Sequence, residues 1–445
     1  MATYLSDYEC FFRSSTRKFF DKAQKYTHGI FLSSRRNIER ICEIQQEVDY
    51  YQMQHFISDS KWDARSVINK VALQTSESLP KRKLTGLILD ETGVEKKGSG
   101  SVGVGWQYCG SVGKTANSQV AVMACLSNGD FASLVDAQLY LPKDWADDPL
   151  RCDKVGIPED RREFQTKPEL AAKIVENQIN LGVNFDFVGA DGLYGNDPLF
   201  VNRLEELGCL YMLDIHKDQR IFLEKPNLEI PPRKGKRGRT PFVAKPNREP
   251  VRVDVYCGKL KKGDWQQINI RNSTKGKLKA DFHFVRAYVW DQQHNKISLR
   301  LLVIRRIKTR KGYELKYSFT NANLDQYTHQ GLAYMQAQRY FVEQCFKESK
   351  QVLGLSQFQT RKWIAWEHQV AINIMTACFI LKEKLLCFNE IPLLSAWDIR
   401  DWICFKLSTP ISEEQIIERI RIRHLKRQQD INRAYEKQIK PNVSK

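Results

Sequence analysis

A chain of 445 residues with 42% hydrophobic side chains can bury a sizeable core, enough for two or three domains of roughly 100–200 residues, and this excludes global disorder. The 70 Lys and Arg against 52 Asp and Glu give a formal net charge of +18 and a pI near 9.3, a balance that makes nucleic acid the natural substrate. Eleven cysteines without a CxxC pair or Cys/His metal spacing exclude a disulfide framework and a zinc site, and suit buried thiols in a reducing compartment.

The N-terminus, Met1-Ala2-Thr3-Tyr4-Leu5-Ser6-Asp7, has no basic region followed by an apolar stretch, so no signal peptide is expected. Residues 1–80 read as helical. Ser33 and Ser34 can cap a helix that carries Ile38, Ile41, Ile44 and Val48 as one apolar stripe. Ser58, Asp59 and Ser60 can cap the next, with Trp62, Val67, Ile68 and Val71. From Lys83 the pattern changes to strands, at 84–90 and 119–126, and the turn Ser127-Asn128-Gly129-Asp130 leads into a third at 131–141 as a hairpin. Thr166-Lys167-Pro168-Glu169 is a capping box opening a helix that Gly182 can end. A strand at 185–191, a helix at 197–207 closed by Gly208 and a strand at 210–215 follow. This order predicts an α/β fold, a mixed sheet with helices packed on it.

Residues 216–330 interrupt that scheme. The basic, Gly-rich loop 231–239 is followed by strand-like segments at 251–256, 265–269, 282–290 and 298–307, read as a β-rich insertion. Helices are expected over 332–352 and 360–386, then a basic helical tail over 412–440. The most apolar segment, 370–381, is interrupted by Asn373 and Thr376 and falls short of the about 20 apolar residues a bilayer span needs. The expectation is a cytosolic protein with no membrane partner.

Three acids stand out. Asp90 ends the apolar run Gly86-Leu87-Ile88-Leu89, Asp191 ends Phe187-Val188-Gly189-Ala190, and Glu343 lies in the helical stretch 339–350. Each alone reads as a cap, a turn or a surface ion pair. Jointly they suit a site for two Mg²⁺ ions, which take oxygen ligands. A short Asp arm fixes an ion at a strand end, and the longer Glu arm reaches across from a helix. Such a metal pair cuts and joins phosphodiesters by in-line displacement. Glu91 competes with Asp90, because strand alternation sends the two to opposite faces and admits only one to the site. Arg339, Glu343 and Lys350, at offsets of four and seven, share one helical face, and the two cations suit phosphate contact as well as ordinary ion-pair support.

Taken in order, these motifs resemble insertion-sequence DDE transposases of the insertion-sequence-4 and insertion-sequence-701 group, from about residue 28 to about residue 390. Leu87-Ile88-Leu89-Asp90-Glu91-Thr92-Gly93 is similar to the family's first acidic strand, with Glu91 where Asp is commoner. Val188-Gly189-Ala190-Asp191-Gly192-Leu193-Tyr194-Gly195 is similar to the second. Arg339, Glu343 and Lys350 fit a Y-(2)-R-(3)-E-(6)-K signature in which Gln336 replaces the Tyr. Leu139-Tyr140-Leu141-Pro142-Lys143-Asp144-Trp145 and Phe164-Gln165-Thr166-Lys167-Pro168-Glu169-Leu170-Ala171 look like the insertion-sequence-701 branch.

The resemblance implies an RNase H-like catalytic core split by a β-rich insertion, with helical N- and C-terminal regions. The corresponding segments are a helical DNA-binding region (1–80), the first part of the core (81–215), the insertion with its basic loop (216–330), the helical last part of the core (331–390) and a basic helical C-terminal region (391–445). It further implies that Asp90, Asp191 and Glu343 are catalytic and bind two Mg²⁺ ions, with Mn²⁺ as a substitute, and it selects Asp90 over Glu91. The function implied is cut-and-paste transposition in the bacterial cytosol. The enzyme would cleave double-stranded DNA at terminal inverted repeats and transfer the freed 3′ end to target DNA, as a homodimer in the synaptic complex. Two other readings stand beside it: a metal-dependent nuclease or resolvase without strand transfer, and a non-catalytic DNA-binding derivative. Arg233, Lys234, Lys236, Arg237 and Arg239 read as a non-specific phosphate contact. Trp265 and Trp290 read as core rather than as stacking partners of an extruded base, and His368 as packing between helices.

Overall fold

The computed structural model describes residues 1–45, 48–81, 83–129, 131–232, 241–273, 276–408 and 412–439. Five helices come first: α1 (Ala2–Ser6), α2 (Phe20–Leu32), α3 (Ile38–Ile44), α4 (Tyr50–Ser58) and α5 (Ala64–Ser78). The caps differ from the serines expected. Asn37 caps α3 by accepting from Arg40 N, and Asp63 caps α5 by accepting from Ser66 N. The reason is reach, since a cap side chain satisfies an amide two or three residues on, and Ser33, Ser34, Ser58, Asp59 and Ser60 stand too far upstream of these helix starts. Ser33 and Ser60 instead donate to the Arg35 and His55 carbonyls.

The sheet begins with β1 (Gly86–Glu95), β2 (Val104–Cys109), β3 (Lys114–Asn128) and β4 (Phe131–Leu139). Helices α6 (Lys143–Ala146), α7 (Pro149–Val155) and α8 (Lys167–Asn180) lead to β5 (Phe187–Ala190), then α9 (Gly192–Gly195), α10 (Pro198–Glu206) and β6 (Tyr211–Asp214). Strand β3 pairs antiparallel with β1 and with β4, whereas β5 pairs parallel with β1 and β6 parallel with β5. The spatial order β4-β3-β1-β5-β6, an antiparallel meander continued by two parallel strands, is the RNase H-like arrangement. Thr166 and Glu169 form the capping box of α8 in both directions. Helix α8 covers one face of the sheet, where Ile174 packs with Leu87, Leu89, Val122 and Val188.

The insertion starts with four two-residue strands, β7 (Arg220–Ile221), β8 (Leu228–Glu229), β9 (Lys245–Pro246) and β10 (Val251–Arg252), paired as two ribbons. The expected strand at 251–256 is β10 followed by α11 (Val253–Gly258). There Val253 and Cys257, four residues apart, are buried, so a helical period prevails over the Val alternation. A long meander follows: β11 (Gln266–Ser273), β12 (Gly276–Asp291), β13 (Lys296–Thr309) and β14 (Gly312–Thr320). β14 has no counterpart among the expected strands, yet it joins the insertion to the core. It pairs antiparallel with β6, Ser318 opposite Asp214, and makes one ten-stranded sheet.

The chain closes with α12 (His329–Ala337), α13 (Arg339–Gln351), α14 (Trp363–Leu386), α15 (Ala396–Leu407) and α16 (Glu413–Ile439). The helix expected over 332–352 is broken at Gln338, whose side-chain carbonyl accepts from Ser127 Oγ (2.8 Å) and Gly129 N (3.1 Å). α14 is long and apolar enough to cross a membrane, but 83% of its apolar window is buried inside the protein. His368 on α14 stacks on Trp62 at 3.8 Å, with Nδ1 2.9 Å from the Ile57 carbonyl. Trp290 donates to Asn295 and Trp265 lies beneath the Arg306 guanidinium, so both pack within the protein. All eleven cysteines are free thiols.

Candidate functional site

The parallel register of β1 and β5 sets Leu89 opposite Ala190. The next residue on each strand is Asp90 and Asp191, so two acids 101 positions apart in sequence emerge side by side. Asp191 also caps α9, its Oδ1 accepting from Leu193 N at 2.9 Å. Asp90, Glu91 and Asp191 each offer a carboxylate oxygen within 4.8 Å of the others. The alternation argument therefore fails for Glu91. Its longer arm brings a carboxylate oxygen to the same place, held by the Tyr194 hydroxyl (3.1 Å) and Lys167 Nζ (3.2 Å).

Glu343 lies on α13, is 54% exposed, and stands outside that trio. Arg339 links it to the others. Nη2 is 3.1 Å from Glu343 Oε1, and Nη1 is 3.3 Å from Asp90 Oδ2. Nε stands 3.0 Å from Asp214 Oδ2, an ion-pair distance without hydrogen-bond alignment. Burial acts to lower the Arg339 pKa, and Asp214, Asp90, Glu343 and Asp191 together raise it. Lys350 reaches back to β1, donating to the Gly93 carbonyl at 3.0 Å, and burial lowers the pKa of its amine. In this state its partner is thus a backbone carbonyl. Arg233, Lys234, Lys236, Arg237 and Arg239 lie outside the described residues.

Asp214 is the site residue that sequence reasoning missed. It ends the strand Tyr211–Asp214 as Asp90 and Asp191 follow their apolar runs, and that shared pattern was the available signal. Ser318 Oγ donates to its Oδ1 at 2.7 Å. Helix α9 is pressed against this strand end: a Cβ on Gly195 would strike the Asp214 carbonyl. Tyr194 between them is buried, and its phenol pKa is pushed well up by burial and by Glu91.

The electrostatics ask for a cation. Burial foremost, then Asp191, push the Asp90 pKa up to about 7. Burial and Glu91 raise that of Asp191. Crowded, partly desolvated carboxylates carry this cost unless positive charge joins them. Oxygen-only donors of this kind fit a hard divalent ion such as Mg²⁺, so the residues present suit the metal the sequence implies.

A family model described as "DDE superfamily endonuclease" matches residues 8–277. A probable transposase for insertion sequence element IS701 from Microchaete diplosiphon is 30% identical over 207 residues, 45% of this chain. The match spans about half, 50%, of that relative's length. A piggyBac transposase, solved as a synaptic complex with hairpin DNA, aligns with 94% of this chain and 80% of its own at a TM-score of 0.37 and 10% identity.

Proposed function

Because the chain belongs to the DDE superfamily of endonucleases, we propose that it is a DNA transposase that cleaves element ends and joins the freed 3′-hydroxyl to target DNA. The observation carrying this reading is the Leu89–Ala190 register, which lines up Asp90 and Asp191 with Glu91 in reach. In the proposal Asp90, Asp191 and Glu343 hold two Mg²⁺ ions, which Mn²⁺ can replace, and Glu91 is a further oxygen donor. Bound there, divalent ions supply a lowered pKa for the attacking water or 3′-hydroxyl and relief of charge on the leaving oxygen.

The chain's own residues do the rest. The strand ends fix Asp90 and Asp191, the Tyr194 hydroxyl and Lys167 orient Glu91, and Arg339 holds the Glu343 carboxylate beside the acids. Once the acids are neutralised, the Arg339 guanidinium is freed to hold a phosphate in bidentate fashion. Lys350 and the cations of 233–239 extend the proposed phosphate contacts. Two ends must be held together for such chemistry, so the proposed working form is a homodimer on DNA.

The test is nicking of supercoiled plasmid in Mg²⁺. Asp191→Ala should abolish nicking and leave DNA binding within about twofold, and nicking at the wild-type rate rejects the assignment. Joining of precut ends to a target separates a transposase from a nuclease without strand transfer.

A further inference from the structure

Beside this site two cations face each other, and neither has a carboxylate within ion-pair distance among the described residues. Arg305 of β13 and Lys316 of β14 are direct cross-strand partners, so their side chains leave the same face of the sheet. That face is also Asp214's. Ser318 stands opposite Asp214 on one side and Val303 on the other, and Ser318 donates to Asp214. Because β14 runs antiparallel to β6, Lys316 lies two residues beyond that pair, past the strand end that carries Asp214. Asp90 and Asp191 occupy the same edge on β1 and just after β5.

Both cations are half-buried. Burial first, then the neighbouring Arg339, lower the Lys316 pKa. Burial also lowers that of Arg305, with Asp214 and Glu314 partly offsetting it. Like charges directly opposite on a sheet destabilise it, and among the described residues Asp214 and Glu314 near Arg305, and Asp214 and Glu343 near Lys316, offset that cost only in part. An anion between them would offset the rest. Adjacent strands lie about 4.8 Å apart, so one phosphate group can accept from both side chains, and a guanidinium binds two of its oxygens.

We propose that Arg305 and Lys316, with Arg339 beside them, form a clamp for one backbone phosphate of the DNA strand that enters the acidic site. The choice of DNA over a free anion rests on the function proposed above and on the chain's net charge of +18. The clamp lies on β13 and β14, the strands that return from the insertion and join the core through the β14–β6 pairing.

The test uses the full-length protein with EDTA and a fluorescent duplex, titrated over a range of salt. Arg305→Gln with Lys316→Gln should weaken binding about tenfold near 0.1 M salt and make the log–log salt slope shallower by about one unit, the share of one phosphate contact. Its melting temperature should stay level or rise. The charge-retaining pair Arg305→Lys with Lys316→Arg should keep the wild-type slope. An unchanged slope in the neutral pair, or equal loss in both pairs, overturns the clamp. Millimolar inorganic phosphate that stabilises the wild type, with no change of DNA slope in the neutral pair, would mark a free-anion site and overturn it too. Plasmid nicking by the wild type is scored separately: a changed slope in a protein that never nicks rejects the proposed function and spares the clamp.

Discussion

Arg339 Nη1 donates to Asp90 Oδ2 at 3.3 Å, joining the first turn of α13 to β1 across 249 positions of sequence. The same guanidinium serves Asp214 and Glu343, so one cation partly neutralises acids from three elements. A divalent ion and this guanidinium would compete for the same negative field. Arg339→Gln should therefore tighten Mg²⁺ or Mn²⁺ binding, on the order of tenfold for removal of one unit charge at this range after solvent screening. Nicking should fall despite the tighter metal. Isothermal titration with Mn²⁺ checks this, and weaker metal binding in the variant would show that Arg339 orders the acids rather than competing for them.

Asp90 ionises near 3.8 in a free chain and about 7 in the fold, because burial and Asp191 oppose its charge. Between those values the folded state binds more protons than the unfolded state. The contribution of Asp90 to stability therefore falls as pH rises through that window and is least above pH 7. Asp90→Asn removes the ionisation. In EDTA it should melt above the wild type at pH 8, with the advantage shrinking as pH falls towards 4. A constant advantage from pH 5 to pH 8 would place the effect elsewhere. Metal affinity of the wild type should climb as pH passes 7, since protons and cations compete for the same oxygens.

Asp90 and Asp191 could be found in the sequence because an apolar run closed by Asp is a local pattern. Which residues lie beside them is not local. The Leu89–Ala190 register, the reach of Glu91 to the same place and the link from Arg339 to Asp90 follow from pairings about 100 to 250 positions apart, whereas the Arg339–Glu343 pair, four residues apart on one helix, was legible locally. Asp214 carried the same local pattern but fell outside the motifs of the resemblance. The break between α12 and α13 depends on Ser127 and Gly129, 211 and 209 positions from Gln338. The strand β14, which ties the insertion to the core, was hidden because its first four residues are exposed and its apolar pattern is short.

Gly195 and Gly192 flank Tyr194 and should respond differently to a methyl group. A Cβ on Gly195 meets the Asp214 backbone carbonyl, whereas on Gly192 it meets the His216 ring, at 2.8 Å from Cδ2. A side chain can swing aside and a strand end cannot. Gly195→Ala should cost about 1–3 kcal/mol, and it should also cut nicking sharply by displacing Asp214 and the α9 cap at Asp191. Gly192→Ala should be milder in both. Thermal melts with parallel nicking rates check this, and equal effects would remove the strand end from the explanation.

His368 should set an acid limit opposite in sign to the effect of Asp90. Burial lowers its pKa from 6.5 to about 4, although the Ile57 and Trp62 carbonyls favour the charged ring. The unfolded chain thus takes up a proton below pH 6.5 that the fold refuses until pH 4. The associated stability is complete above 6.5 and drains away as pH falls towards 4. His368→Gln should melt lower at pH 8, because it loses the stack on Trp62, yet its melting temperature should fall less steeply between pH 6.5 and 4. The Asp90 and His368 windows overlap between about pH 4 and 6.5, so their opposed slopes offset each other there, and combining His368→Gln with Asp90→Asn should give a flatter pH profile in EDTA over that range than either single variant, each of which keeps one slope unopposed. An acid slope in His368→Gln as steep as in the wild type would assign the loss to another buried group.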